Sequence, residues 1–288
     1  METYENQEMQ IPENGEIKTP GFRGMHMPEN RATQKPALRN KWLYLIIPVL
    51  AIAFAEFMIY SGRIIGAMEV HAALLLGLSL SMLYIKDEDI QKTYQALILL
   101  PILRLVNLSM PAFYDITLYS FVFIYGLLTI PVTIALTHQE FTREQLGITF
   151  KRIGIYIPLS IVMGLLLGAG EYFIIETNYL IPDLSIPTLL ILTLIMVFLV
   201  GLIEEIIFRS ILQNRLEVLL GSRGGLIITS VLFGLMHSGY GNISEIFYTF
   251  AVGFIIGYMF YRTRSLPLVT MIHGFINVFL FGVIPHLL

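Results

Sequence analysis

Glu204, Glu205 and Arg209 stand within six residues of one another inside the apolar run Gly201-Leu-Ile-Glu-Glu-Ile-Ile-Phe-Arg. On an α-helix Glu205 and Arg209 are one turn apart and pair along one face. Glu204 is rotated about 100° from Glu205 and projects elsewhere. A charged side chain at bilayer depth costs about 2.5–3.5 kcal/mol, so three together need a partner or a task. A buried ion pair that locks helix packing accounts for Glu205 and Arg209. It leaves Glu204 to be explained. Two further polar pairs follow, Phe233-Gly-Leu-Met-His237 and His273-Gly-Phe-Ile-Asn277, the second again one turn apart and facing one way. A single histidine in such a run is ordinarily a packing residue, whereas Glu204, His237, His273 and Asn277 on three segments suggest one site. Glutamate and histidine can activate a water, and a histidine N–H with an asparagine amide can donate to a developing oxyanion. That chemistry suits hydrolysis of a carbonyl compound, most naturally a peptide bond.

Other chemistries find less support. There is no His-Glu-x-x-His pair and no cysteine, so a standard zinc-protease site is missing. A two-histidine, one-carboxylate set of Glu204, His237 and His273 is the metal alternative, with zinc the cofactor it would take. No Gly-x-Ser-x-Gly elbow marks a serine nucleophile, although Ser238 and Ser244 flank the region. Phosphate-loop and dinucleotide fingerprints are absent.

These residues must be positioned by membrane helices. The 288-residue chain is 56% hydrophobic and 14% charged, with a mean hydropathy of +0.72. Ordinary soluble domains carry about 25% charged residues. The expected fold class is all-α, a polytopic transmembrane helical bundle of about eight or nine helices. Nine apolar segments carry it, at 42–60, 65–85, 93–113, 116–137, 153–176, 187–213, 225–238, 244–262 and 266–286. The seventh is short for a full span. Counting about 1.5 Å per residue from the helix ends sets Glu204, His237, His273 and Asn277 at comparable depths, where they can converge on one cavity. Glu56, Glu69, His71, Arg104 and Glu171 read as pairing partners internal to the bundle. Gly164, Gly168 and Gly170 read as points of close helix approach.

Residues 1–41 are polar and read as a disordered cytoplasmic tail, residues 42–140 as N-terminal transmembrane helices, and residues 141–288 as the half that carries the chemistry. Of the 18 Lys and Arg, all but Arg63, Arg104 and Arg209 fall on the side of the tail. The positive-inside rule makes that side cytoplasmic, in the plasma membrane if the source is prokaryotic. A net charge of −3 gives no reason to expect nucleic acid. The expected partners are membrane lipid and a peptide or protein substrate, lipidated or not. A non-catalytic immunity-type scaffold and a proton-coupled transporter using the same Glu/His cluster are the competing functions.

The three motifs in order, Glu204-Glu205-x-x-x-Arg209, Phe233-x-x-x-His237 and His273-x-x-x-Asn277, resemble those of the type II CAAX prenyl endopeptidases, the CPBP or Abi family of intramembrane proteases. The resemblance covers roughly residues 145–285. It implies a helical bundle with a cavity open to the cytoplasm, and a water activated by Glu204 and His237. It further implies an oxyanion hole of His273 and Asn277, with Glu205, Arg209 and Phe233 in support. Eukaryotic members remove the last three residues of prenylated CaaX proteins, while many prokaryotic members have other substrates. The family is often labelled metalloprotease, yet its motifs suit a glutamate-dependent reaction without metal.

Overall fold

Asp87 shows how the chain sets its helix ends. In the computed structural model, which describes residues 41–110 and 117–288, the Asp87 carboxylate accepts hydrogen bonds from the backbone N–H groups of Asp89 and Ile90. Helix α3 (Glu88–Ser109) therefore begins a turn before the apolar run expected from residue 93. Before it come α1 (Lys41–Tyr60) and α2 (Ile64–Ser81), joined by a turn at Gly62 with φ 78°. After it come α4 (Ser120–His138) and the single turn α5 (Arg143–Leu146). The Thr142 and Gln145 side chains close a capping box around α5. Next is α6 (Ile153–Ile175). The tail expected over residues 1–41 lies, apart from Lys41, outside the described residues, as does the stretch 111–113 of the third apolar segment.

The sixth and seventh apolar segments are two legs of one long helical run. Helix α7 (186–220) continues past Gln213, and the chain then breaks at Gly221, with φ 74° and ψ 166°. The second leg, α8 (222–235), folds back so closely that a Cβ on Gly225 would stand 2.5 Å from the Glu217 nitrogen. Only glycine fits at that reversal. A one-turn 3₁₀ segment (Ser238–Tyr240) leads to α9 (Ile243–Thr263), capped by the Asn242 side chain, and then to α10 (Leu266–Leu287). No strand occurs among the described residues. The fold is an all-α membrane bundle, and seven of its helical runs are long and apolar enough to span a bilayer.

Its packing follows bilayer logic. Outward faces carry large apolar side chains such as Ile47, Phe54 and Phe57 of α1 and Phe173 of α6. Small residues instead mark the places where helices touch. A Cβ on Gly164 of α6 would lie 2.4 Å from Phe275 Cβ of α10, and one on Gly274 would lie 2.5 Å from Val197 Cα of α7. These contacts draw α6, α7 and α10 together where the glutamates meet the histidine.

Glu56 and Arg104 are paired internally, as expected, whereas Glu69 of α2, expected to pair inside the bundle, is exposed instead. Arg104 Nε donates to Glu56 Oε1 at 2.8 Å, and Ser238 Oγ donates to Glu56 Oε2 at 2.6 Å. His71 Nε2 lies 3.2 Å from the same carboxylate, which is wholly buried. Arg104 Nη2 also reaches the Met236 carbonyl at 2.6 Å. The cluster therefore pins the residues on either side of His237 to α1 and α3.

Candidate active site

Glu204 and Glu205 occupy a single α-helical turn of α7 between two π-helical stretches, 196–201 and 206–213. Such wide turns re-aim the side chains around them and are frequent at functional sites. The Glu205 carboxylate is fully buried and serves two donors. Arg209 Nε donates to its Oε2 at 3.0 Å, and His273 Nδ1 donates to its Oε1 at 2.8 Å. The expected Glu205–Arg209 pair is thus present, and it also carries a motif histidine. The guanidinium carbon of Arg209 lies 5.1 Å from the centre of the Phe233 ring, a cation–π contact that supplements its one carboxylate partner.

Glu204 points the other way. Its carboxylate accepts a hydrogen bond from Tyr125 Oη of α4 and lies 3.7 Å from His273 Nε2. It lines a cavity of about 230 Å³ together with Arg104 and Asn107 of α3, Tyr125, Phe233, His237 and Tyr240. His237 lies two residues past the end of α8, and its Nδ1 is 3.1 Å from the Phe233 carbonyl. A carbonyl only accepts, so Nδ1 carries the ring proton and Nε2 presents its lone pair. The Phe233 ring stands between the two histidines, with centroids 5.2 Å from His237 and 5.7 Å from His273.

The structure therefore brings Glu204 and His237 to one cavity and sets His273 against Glu204. Asn277 is half-buried one turn along α10 on the His273 face, and its amide makes no hydrogen bond among the described residues. The metal alternative of Glu204, His237 and His273 is not gathered as a ligand set. His273 is engaged by the two glutamates and is separated from His237 by Phe233. Among the described residues, the trio whose ligating atoms all lie within 4.8 Å of one another is Glu171, His237 and Glu245.

Several site residues escaped the motif reading. Tyr125 carries no marker in an apolar run, and Arg104 reads first as an internal pairing partner of the bundle. Glu171 reads as an internal bundle partner, and Glu245, near a segment end, carries no motif signal.

Residues 186–279 match the family model described as type II CAAX prenyl endopeptidase Rce1-like. No curated protein and no solved structure matches the chain. The Rce1-like stretch is narrower than the 145–285 read from the motifs, yet it contains all seven motif residues, Glu204, Glu205, Arg209, Phe233, His237, His273 and Asn277. Tyr125, Arg104 and Glu171 lie outside it. The matched family is one of endopeptidases, and the seven apolar spans are those of an integral membrane protein.

Proposed function

We propose that the protein is an intramembrane endopeptidase in which Glu204 and His237 activate a water within the cavity they share. One observation carries the reading. Glu204 and His237 reach the same cavity from different helices, with the His237 Nε2 lone pair left available by its Nδ1–H···O=C bond. A water between the two groups would give up its proton to one of them as its oxygen attacks the scissile carbonyl. The tetrahedral intermediate collapses as the C–N bond breaks and the same proton passes to the departing amine.

His273 and Asn277 would stabilise the oxyanion. The His273 Nδ1 proton is committed to Glu205, so donation to an oxyanion through Nε2 requires the doubly protonated ring. Glu205 and Arg209 act through His273, as positioning residues. The substrates in this reading are membrane-associated peptides or proteins, with prenylated CaaX carboxyl termini the first class to try. The lysine- and arginine-rich side faces the cytoplasm, and substrate reaches the cavity from there.

The test is hydrolysis by the purified protein in detergent. A farnesylated CaaX peptide and a set of unmodified membrane peptides are compared with wild type and Glu204→Gln. Cleavage of any of them that vanishes in the variant supports the reading. Cleavage unchanged by the variant removes Glu204 from the chemistry, and no cleavage of any peptide sinks the enzyme.

A further inference from the structure

Glu245 is the most exceptional side chain outside the proposed hydrolytic machinery. It lies in the first turn of α9, is completely buried, and neither carboxylate oxygen finds a hydrogen-bond donor among the described residues other than the neighbouring Glu171 carboxyl. An isolated buried carboxylate costs several kcal/mol unless something compensates it. Its neighbours make the situation worse for a metal-free charge. Glu171 of α6 is a second buried acid, and its ligating oxygen, one of Glu245 and a ring nitrogen of His237 all lie within 4.8 Å of one another. Since His237 Nδ1–H is bonded to the Phe233 carbonyl, the nitrogen offered to this group is Nε2, with its lone pair.

We propose that Glu171, His237 and Glu245 form a binding site for a divalent first-row transition cation, Zn²⁺ or Mn²⁺. Two carboxylates and one neutral imidazole are hard and borderline donors that suit these ions, and the pair of negative charges balances the dication. Ligands about 2.1 Å from zinc stand roughly 3.4 Å apart in a tetrahedron. The three side chains need only close by about an ångström, within the reach of glutamate rotamers. The Nδ1–H···O=C bond of His237 is the outer contact that orients metal-bound histidines generally. This set shares only His237 with the Glu204 cavity and differs from the Glu204–His237–His273 alternative.

The sharing has a consequence that rests on the proposed hydrolytic reading. Nε2 cannot both hold a cation and take a proton from water, so the bound ion withdraws His237 from catalysis. The site is an inhibitory one, and zinc lowers hydrolysis by occupying it.

Cation binding is measured directly on full-length protein in detergent, independently of any peptidase activity. Zn²⁺ and Mn²⁺ are added to metal-stripped protein, and bound metal is counted after desalting. Expected are about one equivalent in wild type and in Glu204→Gln. Glu245→Gln and Glu171→Gln should lose affinity by at least about tenfold, the least that disturbing even an outer contact of a metal site costs. Glu245→Gln is near-isosteric and adds a donor where none was satisfied, so it should elute and unfold like wild type. Electron spin-echo spectroscopy of the Mn²⁺ form needs no variant, and should show coupling to one imidazole nitrogen. No tight equivalent in wild type would overturn the site and leave the two acids sharing a proton. Binding lost in Glu204→Gln but kept in Glu245→Gln would overturn it in favour of the other ligand set. If metal binds as expected and no peptide is cleaved, the site stands and the hydrolytic reading fails.

Discussion

Removing Glu205 should do two separable things, and the pair of variants Glu205→Leu and Glu205→Leu/Arg209→Met resolves them. Glu205 and Arg209 are both completely buried, and the Glu205 carboxylate is the one hydrogen-bond acceptor of the Arg209 side chain among the described residues. Deleting one member of a buried pair leaves the other charge uncompensated, at a cost of about 3–5 kcal/mol. His273 Nδ1 loses its acceptor as well, adding about 1–3 kcal/mol. In the double variant the stranded guanidinium is gone and an apolar pair of similar volume takes its place. Only the histidine contribution then remains, and the double variant should be more stable than the single by about 3 kcal/mol. Hydrolysis should not return with stability, because His273 still lacks the carboxylate that orients its ring and accepts its Nδ1 proton. The assay is equilibrium unfolding in mixed micelles, run beside peptide cleavage at full folding. A single variant that loses less than about 1 kcal/mol would refute the buried-pair argument. Activity recovered along with stability in the double variant would refute the positioning role of Glu205.

Three other perturbations follow from contacts described above. Gly274→Ala sets a methyl 2.5 Å from Val197 Cα, where backbone cannot give way, and should cost about 1–3 kcal/mol by overpacking while lowering cleavage by shifting His273 from Glu205; wild-type melting and turnover would contradict it. Arg104→Leu strands Glu56 and releases the Met236 carbonyl, so a loss of about 3–5 kcal/mol is expected, with Glu56→Leu/Arg104→Leu milder than either alone in the same unfolding assay. At the start of α3, partial burial pushes the Asp87 carboxyl up, but the Lys41 hydrogen bond and the Ile90 N–H outweigh it and hold the group below its ordinary range. A depressed folded value contributes stability above the unfolded value and loses it as pH falls through the folded one. Asp87→Ala should therefore cost about 1 kcal/mol near neutrality, mostly as a lost cap. Unfolding followed against pH should show the gap to wild type shrinking only at acid pH, and a gap that widens there would be wrong in sign.

Much of this architecture could be read from residue order. Each of the nine apolar segments is helical over most of its described residues, because long apolar runs leave the backbone no other way to satisfy itself in lipid. The Glu205–Arg209 pair followed from one-turn spacing alone. The tight reversal at Gly221 was harder to see, since segments 187–213 and 225–238 look separated by a connection over 214–224, yet α7 runs on to residue 220 and Gly225 already packs against Glu217. The π-helical turns around Glu204 have no signature in composition. Tyr125 and Glu204 are 79 residues apart, and only the docking of α4 against α7 makes them partners. Glu171 and Glu245 were visible as charges near apolar runs, yet nothing along the chain shows that they meet each other and His237. Local periodicity sets which face a side chain takes; tertiary packing decides what that face meets.

The two buried ion pairs have a common placement that bears on why they are there. Replacing a buried pair by apolar residues is often neutral or stabilising, so its presence is poor evidence of a gain in stability. In this bundle each pair carries a connection to a motif histidine. Glu205, braced by Arg209, accepts from His273 Nδ1. Glu56, braced by Arg104, accepts from Ser238, and Arg104 itself holds the Met236 carbonyl, so the residues before and after His237 are both tied down. A carboxylate that binds an arginine on one side has a fixed position from which to orient a neighbour on the other, which a rotating aliphatic side chain cannot offer. The first three helices, which contain no motif residue, then act in the site by fixing where His237 stands. The charge pairs serve position more than stability, and the double variants that spare stability should be the ones that still lose turnover.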